Sequence, residues 1–316
     1  MKTPLISICI PAYKNEAYLK RLLDSIGEQS FKDFEVIVTD DSNSDAIRLL
    51  CARYQSAFDL SYYGNPSALG SPENWNESIR KANGEWIKIM HDDDWFVDKG
   101  SLKKFALKAG DGKVDFIFSG YYNINLDTGK KKKFTLNQFQ NFLLRRNPLN
   151  LLKRNLIGHP STTLIKNTQN LFFDKDFKWL VDIDYYIRVL KTSLFLAIKE
   201  PLINIGISSE QITKKSFRNP EVEIPENLKF LNKMSPAILK NILVYDHYWR
   251  FVRNLSIRDE KDLKDFYDGT INSVIKKMVK HQSGISRSLL NTGFFSKLFM
   301  TGSYLINWLT GKFRKE

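Results

Sequence analysis

Residues 6–45 read ISICIPAYKNEAYLKRLLDSIGEQSFKDFEVIVTDDSNSD, and their hydrophobic period changes twice. The opening ISICI is a short, largely apolar run, as in a buried strand. Leu19, Leu22, Leu23 and Ile26 then recur at helical spacing, with Asn15 placed to cap that helix and Gly27 to stop it. FEVIVTD returns to a strand. A strand, a helix and a second strand in that order suggest a parallel pair, because parallel neighbours need a crossover between them.

The alternation continues down the chain. Ser44 opens a helix carrying Ile47, Leu50, Cys51 and Tyr54, and LSYYGN follows. Ser71 and Pro72 then stand as N-cap and first-turn residue of a helix with Trp75, Ile79 and Ala82 on its apolar face. EWIKIM is the next strand, and HDDDW, residues 91–95, follows it directly. The expectation is an α/β fold whose central sheet is mostly parallel and flanked by helices. In open sheets of this kind ligands bind beyond the carboxyl ends of the strands. PAYKNE, DDSNSD and HDDDW all occupy that position, which makes one shared cleft the economical reading.

Further on, VDFIFSGYYNI and STTLIK are strand-like, Lys130 to Lys133 suit a solvated hairpin or loop, and residues 135–156 have a helical cast. FKWLVDIDYYIRVL combines helical spacing with Asp182 and Asp184. Beyond Asn219-Pro220 the spacing stays helical, so the expected division is an α/β domain over residues 1–215 and a helical, basic region over residues 216–316.

The composition fits such a chain. With 316 residues and 42% hydrophobic content it can bury a large core. Cys9 and Cys51 sit inside apolar patterns and read as core thiols, since two cysteines in a chain of this size make no disulfide framework. No apolar run is long enough to span a bilayer and the N-terminus becomes strand-like too soon for a signal peptide, so a cytoplasmic location is expected. The net charge is +13, and from Lys276 onward eight basic residues face a single acid among many aromatic and aliphatic side chains. That tail suits an anionic membrane surface, on the inner face of the cell membrane; the same pattern also suits a terminal helix with a solvated basic face. Nucleic acid is not expected, for no helix-turn-helix, zinc-finger or RNA-stacking signature is present.

Three adjacent aspartates raise one another's pKa unless a cation neutralises them. Asp92, Asp93 and Asp94 are therefore either an acidic turn capping the next helix or ligands of Mg²⁺ or Mn²⁺, whose shell substrate phosphates and water complete. The other two loops favour the second reading. Asp40 or Asp41 can accept from a base edge or ribose, and Tyr13 can lie against a base. No Gly-rich P-loop with Lys-Ser or Lys-Thr occurs, which argues against phosphoryl transfer of that style.

These segments, ISICIPAYKNEAYLKRLLDSIGEQSFKDFEVIVTDDSNSD and GSPENWNESIRKANGEWIKIMHDDDW, resemble the N-terminal half of glycosyltransferase family 2, inverting enzymes of the GT-A fold that use nucleotide-activated sugars. The resemblance runs from about residue 5 to residue 95, weakens towards residue 215 and does not reach the C-terminal helices. It implies that Pro11, Ala12, Tyr13 and Glu16 lie along the nucleotide, and that Asp40 and Asp41 include the carboxylate that reads the base. HDDDW matches the family's DXD element, with Asp93 the first choice as metal ligand and Asp92 or Asp94 assisting; His91 is taken as a neighbour, not a ligand. Asn74-Trp75-Asn76 departs from the Ala-Arg-Asn of many relatives, removing an arginine expected near the diphosphate.

The family's general base lies in a Glu-Asp pair at a helix start, which VDIDYY resembles with Val181 in place of the glutamate, so Asp182 becomes the expected base. Asp184 and Arg188, four residues apart, suit a helix-face ion pair. His159, Pro160 and Ser161 are placed beside the acceptor, and Lys214 or Lys215 over the donor phosphates. The processive Gln-x-x-Arg-Trp element is absent, which suggests transfer of one sugar at a time to a glycan or lipid-linked acceptor in bacterial surface polysaccharide assembly. The competing readings are a sugar nucleotidyltransferase, which lacks its Gly-rich basic loop here, and a non-catalytic nucleotide-sugar-binding relative, which would have lost the base.

Overall fold

The structure is a computed structural model, and it describes residues 3–168, 171–208 and 217–310. By its internal contacts the chain divides into two units: Met1–Arg146 with Leu156–Lys175 and Asp184–Gln211, and Asn147–Asn155 with Asp176–Ile183 and Ile212–Glu316.

The first unit is built on one sheet. Strands β1 (Ile6–Ala12), β2 (Phe34–Asp40), β3 (Leu60–Gly64) and β4 (Trp86–Ile89) alternate with helices α1 (Glu16–Gly27), α2 (Ala46–Ala52) and α3 (Glu73–Arg80), and lie in the order β3-β2-β1-β4, all parallel. Every residue of β1 is buried, which explains its largely apolar run; the one polar side chain, Ser7, donates its hydroxyl to Glu35 at 2.6 Å. Pairing aligns Ala12 with Asp40 and Asp40 with Gly64, so the first two polar loops leave the sheet side by side. Asn15 accepts the Tyr18 N–H at 3.0 Å and caps α1 as its position suggests. Both cysteines are buried thiols.

The sheet continues as β8 (Thr163–Lys166), β6 (Phe116–Asn125), β9 (Phe195–Ile207) and β5 (Trp95–Phe96), with β7 (Lys131–Phe134) paired to β6; helices α4 (Ser101–Ala109) and α5 (Gln138–Arg146) accompany these strands. Here the strand directions are mixed. β8 is antiparallel to β4 and β6, and β5 is antiparallel to β9, while β6 and β9 are parallel. The parallel arrangement expected from the sequence thus holds from β3 to β4 and gives way beyond it. The Lys130–Lys133 run forms the β6–β7 hairpin. Strand β9 escaped the sequence reading because Lys199, Glu200 and Pro201 interrupt its apolar pattern. The register shifts on either side of Gly120, which pairs with Pro201, accommodate the residue that lacks an N–H.

Helix α6 (Val181–Leu190) begins with residues grouped in the second unit. That unit is otherwise helical: α7 (Pro220–Met234), α8 (Ile242–Asn254), α9 (Glu260–Lys264), α10 (Ser273–Ser283), α11 (Arg287–Asn291) and α12 (Gly293–Leu309). Asn219, Asn241 and Asn272 each accept the N–H two residues ahead and cap their helices. Tyr245, Tyr248, Trp249 and Phe230 fill the core. Buried Asp246 is held between Lys153 and Arg250. Two short segments, 147–155 and 176–183, join the helices that follow residue 211, a division more interleaved than a single boundary near residue 216.

Candidate active site

The carboxyl ends of β1, β2 and β4 converge through backbone and side-chain bonds. The Asp41 N–H donates to Ala12 O at 3.1 Å. The Lys14 N–H donates to Ser42 Oγ at 2.6 Å, with Lys14 at φ 61°, a left-handed conformation that folds the first loop against the second. Buried Asn74 ties the same strands together, donating to Ala12 O and Thr39 O.

The two acids after β2 are committed to the loop. Asp40 accepts the Ser42 N–H at 2.8 Å and the Tyr62 hydroxyl at 2.9 Å. Asp41 accepts from Asn65 Nδ2 and from the N–H groups of Leu69 and Gly70, at 2.7, 3.0 and 2.8 Å. Pro11 and Ala12 are buried at the end of β1, whereas Tyr13 and Glu16 are exposed, the first beside the loop and the second in the first turn of α1.

The HDDDW loop separates its aspartates by direction. Asp92 Oδ2 accepts the Tyr13 N–H at 3.4 Å, towards the first loop. Asp93 and Asp94 instead group with His91: one donor atom from each of the three lies within 4.8 Å of the others. The ring of His91 packs on Trp75 at 4.6 Å, and its buried Nε2 has no hydrogen-bond partner among the described residues. His91 therefore stands among the donor atoms, where the sequence reading had it only as a neighbour. Trp75 is thus the surface against which the His91 ring lies.

Three further residues hold this loop: Ser161, which the sequence placed beside the acceptor, and Arg21 and Gly206, which it did not single out. Ser161 Oγ accepts the His91 N–H at 3.0 Å and also bonds the Asp94 carboxylate, while its carbonyl takes the buried Lys88 ammonium. Arg21 donates to Asp93 O at 2.7 Å and lies 3.8 Å from the Trp95 ring centroid. Gly206 donates to Asp94 Oδ1 at 3.1 Å, and a Cβ there would collide with Asp93 O, so the approach of β9 to the loop requires glycine. A lone serine, arginine or glycine far away in sequence carries no local signal of such a role.

Electrostatically the loop is under tension. Burial and the neighbouring Asp93 charge push the Asp92 carboxyl up to about 7, and the same causes raise Asp94 well above the usual carboxylate range. Burial lowers His91 to about 4 and His159 to about 4, so both imidazoles are neutral at pH 7 and able to bind a metal. His159 packs edge-on to Tyr121 at 5.8 Å. These properties suit a divalent cation: neutral imidazole nitrogen and carboxylate oxygen are both ligands of Mn²⁺-type ions.

Asp182 belongs to the helical unit. It is half-buried, one carboxylate oxygen is shielded without a hydrogen-bond partner among the described residues, and burial raises its pKa to about 7. The segment before it is fixed by Glu226 of α7, whose carboxylate accepts the N–H groups of Lys178, Trp179 and Leu180 at 2.8 to 3.2 Å. Asp184, two residues on, is fully buried and forms the ion pair with Arg188 at 2.8 Å. Lys214 and Lys215 lie outside the described residues.

Comparison with known proteins closes the question of family. Residues 7–172 match the model of glycosyl transferase family 2. An uncharacterized protein of Mycobacterium tuberculosis is 29% identical over 60% of this chain and 63% of its own length. An uncharacterized glycosyltransferase of Rickettsia prowazekii is 24% identical over 88% of this chain and 92% of its own. A GalNAc(5)-diNAcBac-PP-undecaprenol beta-1,3-glucosyltransferase of Campylobacter jejuni is 32% identical over 34% of this chain and 36% of its own. Among solved structures, Staphylococcus aureus TarS 1–349 in complex with UDP-GlcNAc superimposes with a TM-score of 0.60 at 14% identity, covering 97% of this chain and 92% of that one. Mannosyltransferase PcManGT from Pyrobaculum calidifontis, in complex with GDP-Man and Mn²⁺, gives 0.55 at 15% identity, covering 98% and 87%. With more than half its length matched by the family model and its fold shared with these enzymes, the chain belongs to glycosyl transferase family 2 and is a glycosyltransferase of the GT-A fold.

Proposed function

We propose that this enzyme transfers a single sugar, with inversion, from a nucleotide-sugar to a hydroxyl acceptor in bacterial surface polysaccharide assembly. The observation that carries the reading is the His91, Asp93 and Asp94 donor cluster at the carboxyl end of β4, beside the loops of β1 and β2. Those three residues would hold Mn²⁺ or Mg²⁺, which when bound neutralises charge on a departing diphosphate. Pro11, Ala12, Tyr13, Glu16, Asp40, Asp41 and Asp92 form the nucleotide side.

In the transfer the acceptor oxygen bonds to the anomeric carbon as the bond from that carbon to the diphosphate breaks. The acceptor proton passes to Asp182. A carboxylate with one unpartnered, shielded oxygen and a pKa near 7 has the properties of a general base at neutral pH. Two of the similar proteins were solved with UDP-GlcNAc and with GDP-Man, which supports a nucleotide-sugar donor, and the Campylobacter relative's undecaprenol diphosphate substrate supports a lipid-linked acceptor.

Thermal shift with UDP-, GDP- and dTDP-sugars in the presence and absence of Mn²⁺ tests the donor half, since a ligand bound by the native state raises its apparent stability. Asp93→Asn is expected to abolish the Mn²⁺-dependent shift while leaving the unliganded transition in place. A donor whose affinity ignores both chelator and Asp93→Asn would reduce the acidic loop to a helix cap.

A further inference from the structure

Helix α12 is turned inside out. Its buried side consists of Ser296, Met300, Ser303 and Asn307, while Phe294 is 73% exposed, Trp308 60% and Leu309 75%, with Leu298, Leu305 and Ile306 exposed as well. At 100° per residue the exposed apolar residues centre almost opposite the buried ones, so the helix is amphipathic in the reverse of the usual sense.

The inversion is locked by polar bonds. Ser296 Oγ accepts Trp249 Nε1–H at 3.2 Å and an Arg253 guanidinium N–H at 3.0 Å. Ser303 Oγ bonds the Tyr245 hydroxyl at 2.6 Å and His281 Nδ1 at 2.7 Å, and Asn307 Nδ2 donates to the Tyr245 hydroxyl at 3.0 Å. Turning the apolar side inward would strand those buried groups, each at a cost comparable to a lost hydrogen bond or more. The outward apolar face is thus a specified feature of the helical unit.

Charge selects its occupant. From residue 276 to residue 310 Lys276, Lys277, Lys280, Arg287 and Lys297 are basic and no residue is acidic. Of these Lys276 is paired with Glu260. No described helix is long and apolar enough to cross a membrane, and α12 carries its apolar surface on one side only. We infer that α12 lies in the plane of an anionic lipid surface, with Phe294, Leu298, Leu305 and Leu309 entering the acyl boundary and the surrounding lysines and arginine meeting the headgroups. The inference locates the lipid-linked acceptor proposed above, and its test reads lipid binding alone, so failure here leaves the donor chemistry standing.

Flotation of the full chain with phosphatidylcholine vesicles, with and without phosphatidylglycerol, tests it. The protein is expected to float with the anionic vesicles and to be released by high salt. The triple variant Phe294→Ser, Leu298→Ser, Leu305→Ser, altered only at exposed positions, should lose more than about tenfold in partition. A second measurement needs no loss of packing: an environment-sensitive dye on Leu298→Cys should shift to the blue when anionic vesicles are added. Equal partition of variant and wild type, or a dye that stays in water, overturns the proposal. So does a wild-type dimer that the triple variant converts to monomer without any vesicle affinity, which would assign the face to a second copy.

Discussion

Asp182→Asn should make the protein more stable as it disables it, and the size of the gain should depend on pH. The Asp182 carboxyl is pushed by burial from its ordinary 3.8 up to about 7. Between those limits the folded state holds a proton that the unfolded chain has released. Stability from this group is therefore fully present below pH 3.8 and is lost as pH rises to 7, by about 1.4 kcal/mol per pH unit and about 4 kcal/mol over the window. Above pH 7 the loss levels off. Asparagine has the same shape and no charge to bury, so the variant escapes that slope. From pH 5.5 to pH 7 the variant should gain about 2 kcal/mol on the wild type, which for a chain of this size is about 3 °C in Tm. If water reaching the half-buried residue halves the effect, about 2 °C remains measurable. The assay is paired thermal melts of wild type and variant across pH 5 to 8.5; taking the difference cancels the contributions of Asp92 and Asp94. Transfer activity of the wild type should fall below pH 7 as the base protonates, while the variant should lose roughly 10² to 10⁴-fold at pH 7.5. A variant whose Tm difference from wild type is flat with pH would show that Asp182 is not held above its ordinary pKa. Wild-type transfer rates in Asp182→Asn, or a large defect confined to Asp184→Asn, would remove it as the base.

Other residues give shorter tests. Gly206→Ala should weaken Mn²⁺ binding, read by electron paramagnetic resonance or thermal shift, because a Cβ at that point displaces the Asp93 carbonyl that Arg21 holds. Glu226→Ala should destabilise by about 3 kcal/mol, measured by denaturant unfolding, since it strips the acceptor from the N–H groups of Lys178, Trp179 and Leu180; an unchanged midpoint would mean that water replaces it. Asn74→Ala should cost about 1 to 3 kcal/mol by losing the bonds to Ala12 O and Thr39 O, with donor affinity falling alongside.

The parallel half of the sheet was readable because its physics is local. The strands are short and largely apolar, the helices keep their own apolar spacing, and the polar loops fall at the ends that the alternation dictates. Of the expected caps Asn15 holds, while Asp45 and Pro72 stand at the N-caps of α2 and α3, with no side-chain cap from Ser44 or Ser71. The second half was not, because its strands are defined by partners distant in sequence: β8 inserts between β4 and β6, and β9 is interrupted at Pro201 where a bulge absorbs it. The site divides the same way. HDDDW and DDSNSD are contiguous and announce themselves. Ser161, Gly206 and Arg21 act on the acidic loop from other elements, and only the folded chain brings them there.

The places where ordinary sequence rules fail coincide with the places to which a role has been given. An amphipathic helix is expected to bury its apolar side, and α12 exposes it. A carboxylate near a helix start is expected to find a cap or an ion pair; Asp184 finds Arg188, yet Asp182 leaves an oxygen shielded and unpartnered. A histidine packed against tryptophan is expected to satisfy its ring nitrogens, and His91 leaves Nε2 without a partner beside Asp93 and Asp94. Each departure costs the isolated fold stability, and each is maintained by polar groups that would otherwise have little reason to be there: Ser303 and Asn307 on the buried side of α12, Glu226 before Asp182, Ser161 behind the acidic loop. Supporting bonds that fix an unfavourable group in place mark a position held for something other than stability. On that ground the outward face of α12, the Asp182 carboxylate and the His91, Asp93 and Asp94 cluster are the positions at which the proposed lipid, base and cation roles are to be tested.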